Sequence, residues 1–359
     1  MVCKKMINEN ITNNKKLIKH SKIVPQSAFK NKQIDIFQTF LCNGVDERGE
    51  LSNALDLWDS IPRYSVSRQA MQKMRTTENF LEVLEVTFSY RGRLLTILIY
   101  PARIKDKSDK WVNFYPSARE ELIEQALRKI ASEQNLGFFD KPTFRSGVRF
   151  SLYMLRKELE SQGHSLRYIE IIEGLDILSL SNIEIIDKSG EKCLLFARSP
   201  FLPTLLGVKR ADLQVDPNAK WLAQFHPLVT QSIDELTARQ FNYKRLMNCR
   251  TQLARWLINQ LVLKYTAASI ANTFEMRYST IKRNSAMLNG YKRERSAIEA
   301  LDAAWEEVKE QKTVSLIKKN EQRGLRGKLE DVIYTIYPSR KFAMEQKAAN
   351  RRRIDAQAT

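Results

Sequence analysis

Histidine and cysteine are the side chains in this 359-residue chain most able to hold a metal or activate a nucleophile, and their placement does not assemble a site. Cys3, Cys42, Cys193 and Cys249 form no C-x-x-C pair, and their spacing fits neither a zinc centre nor a disulfide framework. They read as small apolar core residues or free thiols in a reducing compartment. His20, His164 and His226 stand apart; His164 precedes Ser165 and His226 precedes Pro227, so there is no His-apolar-His pair to hold a metal beside a tyrosine nucleophile. The stretch 44–51 has the glycine spacing of a phosphate loop. It carries Glu50 and Leu51 where lysine and a hydroxyl residue are needed, and an acid there repels phosphate. We therefore expect no catalytic residue, no metal and no cofactor, and read the chain as a non-enzyme.

The chemistry that remains is cationic. Lysine and arginine number 59 against 41 aspartates and glutamates, a formal charge of +18, which suits a polyanionic partner. The densest ordered cluster is Tyr291-Lys292-Arg293-Glu294-Arg295 after Asn289-Gly290, at the start of a long amphipathic helix. Cations at a helix N-terminus oppose the macrodipole by about 0.3–1 kcal/mol each, so a use for them is implied, such as a phosphate or a guanine edge. Ser296-Ala297-Ile298-Glu299 fits a capping box, which would start the regular helix at Ser296 and leave the cations in the preceding turn. A second cluster, Lys318, Lys319, Arg323, Arg326 and Lys328 with glycines at 324 and 327, lies between two expected strands as a hairpin tip. Lys282 and Arg283 on the preceding helix suit phosphate contacts, and so does the pair Lys244-Arg245, which surface solvation explains equally well. The run Arg351-Arg352-Arg353 reads as part of a disordered tail.

These residues must be positioned by the elements around them. Strict alternation over 83–90 predicts a strand, Arg91-Gly92 a turn, and 94–100 the return strand. Residues 119–134 predict an amphipathic helix burying Leu122, Ile123, Ala126, Leu127 and Ile130, with its charges on the opposite, solvated side. Further helices are expected over 147–162, capped by Ser146 and stopped by Gly163, and over 166–178, followed by strands near 182–187 and 192–197. Pro200, Pro203 and Asp216-Pro217-Asn218 punctuate the next segment as a linker. Beyond it helices are expected at 227–236, 237–247, 252–264, 279–288 and on to about 312, then strands at 314–319 and 329–337.

The fold class expected is α+β, two tandem winged-helix domains, each three helices and a hairpin wing. The boundaries expected are a basic flexible tail over 1–33, which holds eight lysines and one acid, an N-terminal domain over 34–205, a linker over 206–218, a C-terminal domain over 219–345 and a basic tail over 346–359. The N-terminal counterpart of the reading helix offers Arg167 but also Glu170, Glu173 and Asp176, so the C-terminal domain is the expected main DNA reader. The N-terminal one is an auxiliary contact or a dimerisation surface. Apolar runs fall far short of the roughly 20 residues that span a bilayer, and the lysine-rich start lacks a secretory h-region, so a cytoplasmic protein without a membrane partner is expected.

Seven blocks then carry a resemblance: residues 51–62 (LSNALDLWDSIP), 100–106 (YPARIKD), 115–117 (YPS), 150–159 (FSLYMLRKEL), 226–229 (HPLV), 240–243 (QFNY) and 252–257 (QLARWL). In this order they resemble the plasmid replication initiators of the RepA type, over about residues 34–345. The resemblance implies two winged-helix domains and binding of double-stranded DNA at origin repeats (iterons). It also implies opening of an AT-rich segment, recruitment of host DnaA and the replicative helicase, and a dimer–monomer equilibrium in which dimers autoregulate. A winged-helix transcriptional repressor or partition-type protein would use the same fold and charges, and sequence alone separates the two poorly.

Overall fold

The computed structural model describes residues 51–358 apart from 77, 107, 133–135, 188–195, 208–217 and 236. The basic segment 1–33, the glycine-spaced stretch up to Glu50, Cys3, Cys42, Cys193, the stretch 188–191 between two expected strands and most of the expected linker lie outside the described residues. What is described is an α+β fold of open antiparallel sheets, of the kind winged-helix domains use.

The first half opens with β1 (Leu51–Leu55), α1 (Asp56–Ser60) and α2 (Arg68–Met74). The alternating segment forms β2 (Leu84–Tyr90), which pairs with β3 (Arg93–Tyr100). The turn between them holds Arg91 at φ +47° and Gly92 at φ +80°, the double left-handed conformation that a two-residue hairpin needs. A small hairpin follows, β4 (Ala102–Lys105) with β5 (Trp111–Phe114). Then come α3 (Ala118–Ser132), β6 (Gly137–Asp140), β7 (Arg145–Ser151), α4 (Leu152–Ser161) and α5 (Tyr168–Leu180). β8 (Asn182–Asp187) and β9 (Phe196–Pro200) complete a sheet of order β2-β3-β8-β9.

The helix expected over 147–162 begins only at Leu152. Val148 and Phe150 are buried on alternate positions of β7, which lies between β6 and β11 (Lys220–Gln224). Ser146 is therefore not the cap; the Ser151 Oγ accepts from the Met154 N–H at 3.1 Å. Gly147 is required in that strand, because a Cβ there would meet the Ala223 carbonyl at 2.3 Å. β10 (Thr204–Leu206), at the start of the expected linker, adds to the edge of the same sheet.

In the second half α6 (Pro227–Asp234) is followed by a strand where a helix was expected over 237–247: β12 (Ala238–Asn242), then the single turn α7 (Tyr243–Met247). β12 pairs antiparallel with β1, from Leu51↔Asn242 to Leu55↔Ala238, so the two halves share one ladder. α8 (Gln252–Lys264), β13 (Phe274–Arg277), α9 (Tyr278–Ser285), α10 (Glu294–Glu310), β14 (Val314–Arg323) and β15 (Leu329–Pro338) follow. Their sheet runs β13-β15-β14. The apolar stripe Ile298, Leu301, Trp305 and Val308 of α10 is buried. The basic C-terminal segment, expected as a tail, is helical as α11 (Arg340–Ala358) and packs on β12.

The charges of α3 do not face solvent. Glu120, Glu121, Glu124, Arg128 and Lys129 are all buried, because α3 is covered on both sides. Glu124 Oε2 accepts from Arg63 at 2.7 Å and from the Tyr64 hydroxyl, and Oε1 accepts from the Trp58 indole at 2.5 Å. Asp59 accepts from Arg63 and Arg128, each at 3.0 Å. Glu121 accepts from Arg255 of α8 at 3.1 Å, which ties the halves a second time. Three carboxylates thus meet three guanidinium groups, the balance that lets charge be buried. Burial pushes the Glu124 carboxyl up, but Arg63, Arg128 and its hydrogen bonds outweigh that and hold it below the usual carboxylate range.

Candidate nucleic-acid interface

The cationic candidates fall on α9, α10 and the β14–β15 hairpin, and packing between these elements fixes their relations. α9 begins beside β15: Ser279 donates through its N–H to Asp331 Oδ1 at 3.0 Å and through its hydroxyl to Oδ2 at 2.6 Å. That carboxylate takes up donors at the start of the helix, supplied from 52 residues away. α9 ends at Ala286, held left-handed at φ +57°, and the chain turns through Asn289-Gly290 into α10.

α10 starts at Glu294, with Arg293 at its N-cap and no side-chain cap. The Ser296–Glu299 box expected from sequence is not formed. Glu299 instead accepts from Arg295, at 3.1 Å. Two residues earlier in the helix than that box allows, Glu294 occupies the first turn, where an acid favours the macrodipole. Its carboxylate also meets Lys282 of α9 at 2.8 Å, and this hydrogen bond holds its pKa below the usual range. Two turns further on, Asp302 accepts from Lys319 of β14 at 2.6 Å and from the Tyr334 hydroxyl at 2.7 Å. The wing strands are thereby held along α10.

The ten expected contact residues divide by what surrounds them. Lys282, Arg295, Lys319 and Arg323 are each engaged by a carboxylate: Glu294, Glu299, Asp302 and Glu321 respectively. Arg323 also donates to the Gly327 carbonyl at 2.9 Å, bracing the wing tip. Lys292, Arg293, Lys318 and Lys328 are exposed and have no ion pair among the described residues; Lys318 lies 5.3 Å over the Tyr337 ring. Arg283 is exposed, with its Nε 3.2 Å from the Asn284 amide oxygen. The Arg326 side chain lies outside the described residues. Leu325, beside it at the tip, is 94% exposed.

One further expectation changes. Arg245 is not a surface cation; it is buried and forks onto Glu345 of α11 at 2.8 and 2.9 Å. The acids Glu294, Asp302 and Asp331, which orient this face, carried no sequence signal, since their partners lie 12 to 52 residues away. In the first half, two of the acids expected on α5 are met by arginines. Glu170 accepts from the Arg167 side chain and N–H and falls to about 2, and Glu173 faces Arg119 at 3.1 Å.

Nothing among the described residues gathers three His, Cys, Asp or Glu side chains into a metal site. Cys249 is buried, which pushes its thiol up to about 12, away from reactivity. His226 is fully buried at the start of α6, its Nδ1 accepting from the Leu228 N–H at 3.1 Å and its ring stacked 4.5 Å from Trp58. Among the described residues no helix is long and apolar enough to cross a membrane.

No protein-family profile and no curated protein matches the chain. Among solved structures it is similar to crystal structures of domains 2 and 3 of RctB. One, a selenomethionine derivative, has 12% identity and a TM-score of 0.48 over 79% of this chain and 96% of that one. The other has 10% identity and a TM-score of 0.44 over 78% and 98%. It is also similar to the Pi initiator protein in complex with iteron DNA, with 11% identity and a TM-score of 0.36 over 82% of this chain and all of that one.

Proposed function

We propose that this chain is a sequence-specific DNA-binding initiator of plasmid replication. It is built as two tandem winged-helix modules, residues 34–205 and 219–345, that bind repeated sites at an origin. The observation that carries the reading is the pair Lys292 and Arg293, exposed at the start of α10 with no ion pair among the described residues. In a helix-turn-helix that end of the second helix enters the major groove. In the proposed arrangement Lys292, Arg293 and Arg295 meet the groove and Lys282 and Arg283 the phosphates. The wing residues Lys318, Lys319, Arg323, Arg326 and Lys328 reach the neighbouring minor groove. The N-terminal module supplies dimerisation and an auxiliary contact.

Binding energy then does mechanical work. Several copies on adjacent repeats bend the duplex, and a neighbouring AT-rich tract opens because its steps deform at lower cost. Host DnaA and the replicative helicase follow, and dimers of the protein repress its own promoter. The ordered sequence blocks between residues 51 and 257 support this reading, and the replication arm of the test separates it from a repressor of the same fold.

The test has two arms. Alanine at Arg293 and Arg295 should weaken binding to the protein's own origin repeats by roughly 1–3 kcal/mol per guanine contact, and weaken a scrambled duplex less. Equal losses on both duplexes would reduce the pair to phosphate contacts. A plasmid carrying only the cognate origin should replicate when the protein is supplied in trans; a pure repressor would not sustain it.

A further inference from the structure

Beside α9 lies a cavity of about 490 Å³ lined mostly by polar and charged residues. That volume is in the range of small-ligand sites, roughly 300–1,000 Å³. Its walls come from both halves: the β2–β3 turn, the start of α1, β12, the end of α8 and one face of α9. The charged residues of the lining are Arg91, Arg239 and Lys264 against the single carboxylate Asp56. That carboxylate is already engaged, accepting from the Arg91 guanidinium and from the Tyr90 hydroxyl at 3.0 Å.

Lys264 is different. It reaches solvent through the cavity, and among the described residues no acceptor lies within hydrogen-bond distance of its ammonium. Burial in the recess lowers its pKa, and Arg283 adds to this from outside the lining, while Asp56 opposes it. Glu235 acts on Tyr90 and Arg91 from outside the lining as well. The remaining wall is rich in neutral donors, serine and threonine hydroxyls and the Asn284 amide. The Asn284 Oδ1 already accepts from the Ser89 N–H at 2.9 Å and from Arg283, so its NH₂ is the group left to donate.

We propose that this cavity binds a small phosphate-bearing anion of about nucleotide size, with Lys264 as the residue that meets the phosphate. An ammonium with no hydrogen-bond partner among the described residues suits an oxyanion, since it stands among neutral donors and beside Arg91, paired with Asp56, and Arg239, bonded to Gln346 and Asn350. The volume exceeds what inorganic phosphate fills, and the half-buried Tyr90 ring offers an apolar wall for the rest of the molecule. The Ser89–Asn284 hydrogen bond joins hairpin to helix within the lining, so occupancy bears on how α9 is held.

The full chain is titrated calorimetrically with ADP and, in parallel, with pyrophosphate, in the absence of DNA. Saturable one-to-one binding of either is expected, weakened at least tenfold by Lys264→Met and unchanged by Lys292→Met. Lys264 makes no hydrogen bond, so its variant should fold, and an unchanged thermal melt checks this. ADP binding alone assigns the site to a nucleoside phosphate; equal binding of pyrophosphate assigns it to the phosphates themselves. Absence of saturable heat with both probes overturns the proposal. So does Lys264→Met binding like the parent, or Lys292→Met losing as much, which would place the anion on the DNA face. The proposal stands apart from the DNA-binding reading: a chain that takes ADP and ignores its origin fails that reading alone.

Discussion

Glu294 should restrain DNA binding while it supports the fold, so Glu294→Gln moves the two in opposite directions. Its carboxylate sits in the first turn of α10, where a negative charge contributes about 0.3–1 kcal/mol against the macrodipole. Its ion pair with Lys282 is part-exposed, 31% and 53% for the two side chains, and such pairs contribute about 0–1 kcal/mol. The substitution should therefore cost about 1 kcal/mol of stability, a fall in Tm of about 2 °C in a chain of this size. On the DNA face it removes a charge that repels phosphate and releases Lys282. One additional neutralised phosphate steepens the salt dependence by about 0.9 and raises affinity at 0.1 M salt by up to about eightfold. The assay is fluorescence anisotropy on an origin-repeat duplex at four salt concentrations, beside a thermal melt. A variant that melts lower and binds more tightly, with a steeper log–log slope, is the expected result. An unchanged slope would refute the placement of α10's N-terminus against phosphate, whatever the melt shows.

Other predictions concern the scaffold. Glu124→Gln leaves Arg63 and Arg128 buried with one carboxylate fewer and should cost about 3 kcal/mol in a urea melt; a loss under 1 kcal/mol would mean the network is hydrated. His226, whose pKa burial and Arg63 depress to about 3, binds its proton only in the unfolded chain between that value and about 6.5. Stability is complete above about pH 6.5 and falls with acidification, by about 2 kcal/mol at pH 5. His226→Asn, which keeps a cap acceptor, should flatten the difference between melts at pH 7.5 and pH 5, and an equal slope in both proteins would contradict it. Ala286→Gly relieves the left-handed cap of α9 and should raise stability by about 0.5 kcal/mol, visible as a higher urea midpoint.

What could be read from sequence depended on how far apart the partners lie. α8 and α10 were legible because Leu253, Leu257 and Leu261, and Ile298, Leu301, Trp305 and Val308, repeat the helical period within one element. β7 was misread because Val148 and Leu152 are also four apart, and the strand runs straight into α4 without a break residue between them. β12 was misread because its partner β1 lies in the other half of the chain and gives no local signal. The charges of α3 look solvated in a one-dimensional pattern; partners folded against them from afar, such as Asp59, Arg63, Arg68 and Arg255, make their burial possible. The interface cations were visible by type and density. That Lys282 and Lys319 each face an acid, while Lys292 and Arg293 have no ion pair among the described residues, is a property of neighbouring elements.

The β1–β12 ladder also constrains how the molecule comes into being. Its first pair, Leu51 with Asn242, closes a loop of roughly 190 residues, a slow and entropically costly step. During synthesis β1 leaves the ribosome long before its partner is made, so the buried Ala54 and Leu55 must wait uncovered or shielded by a chaperone. A gene fragment that stops before residue 238 would produce a chain in which that wait never ends, and aggregation rather than a half-sized working protein is its natural fate.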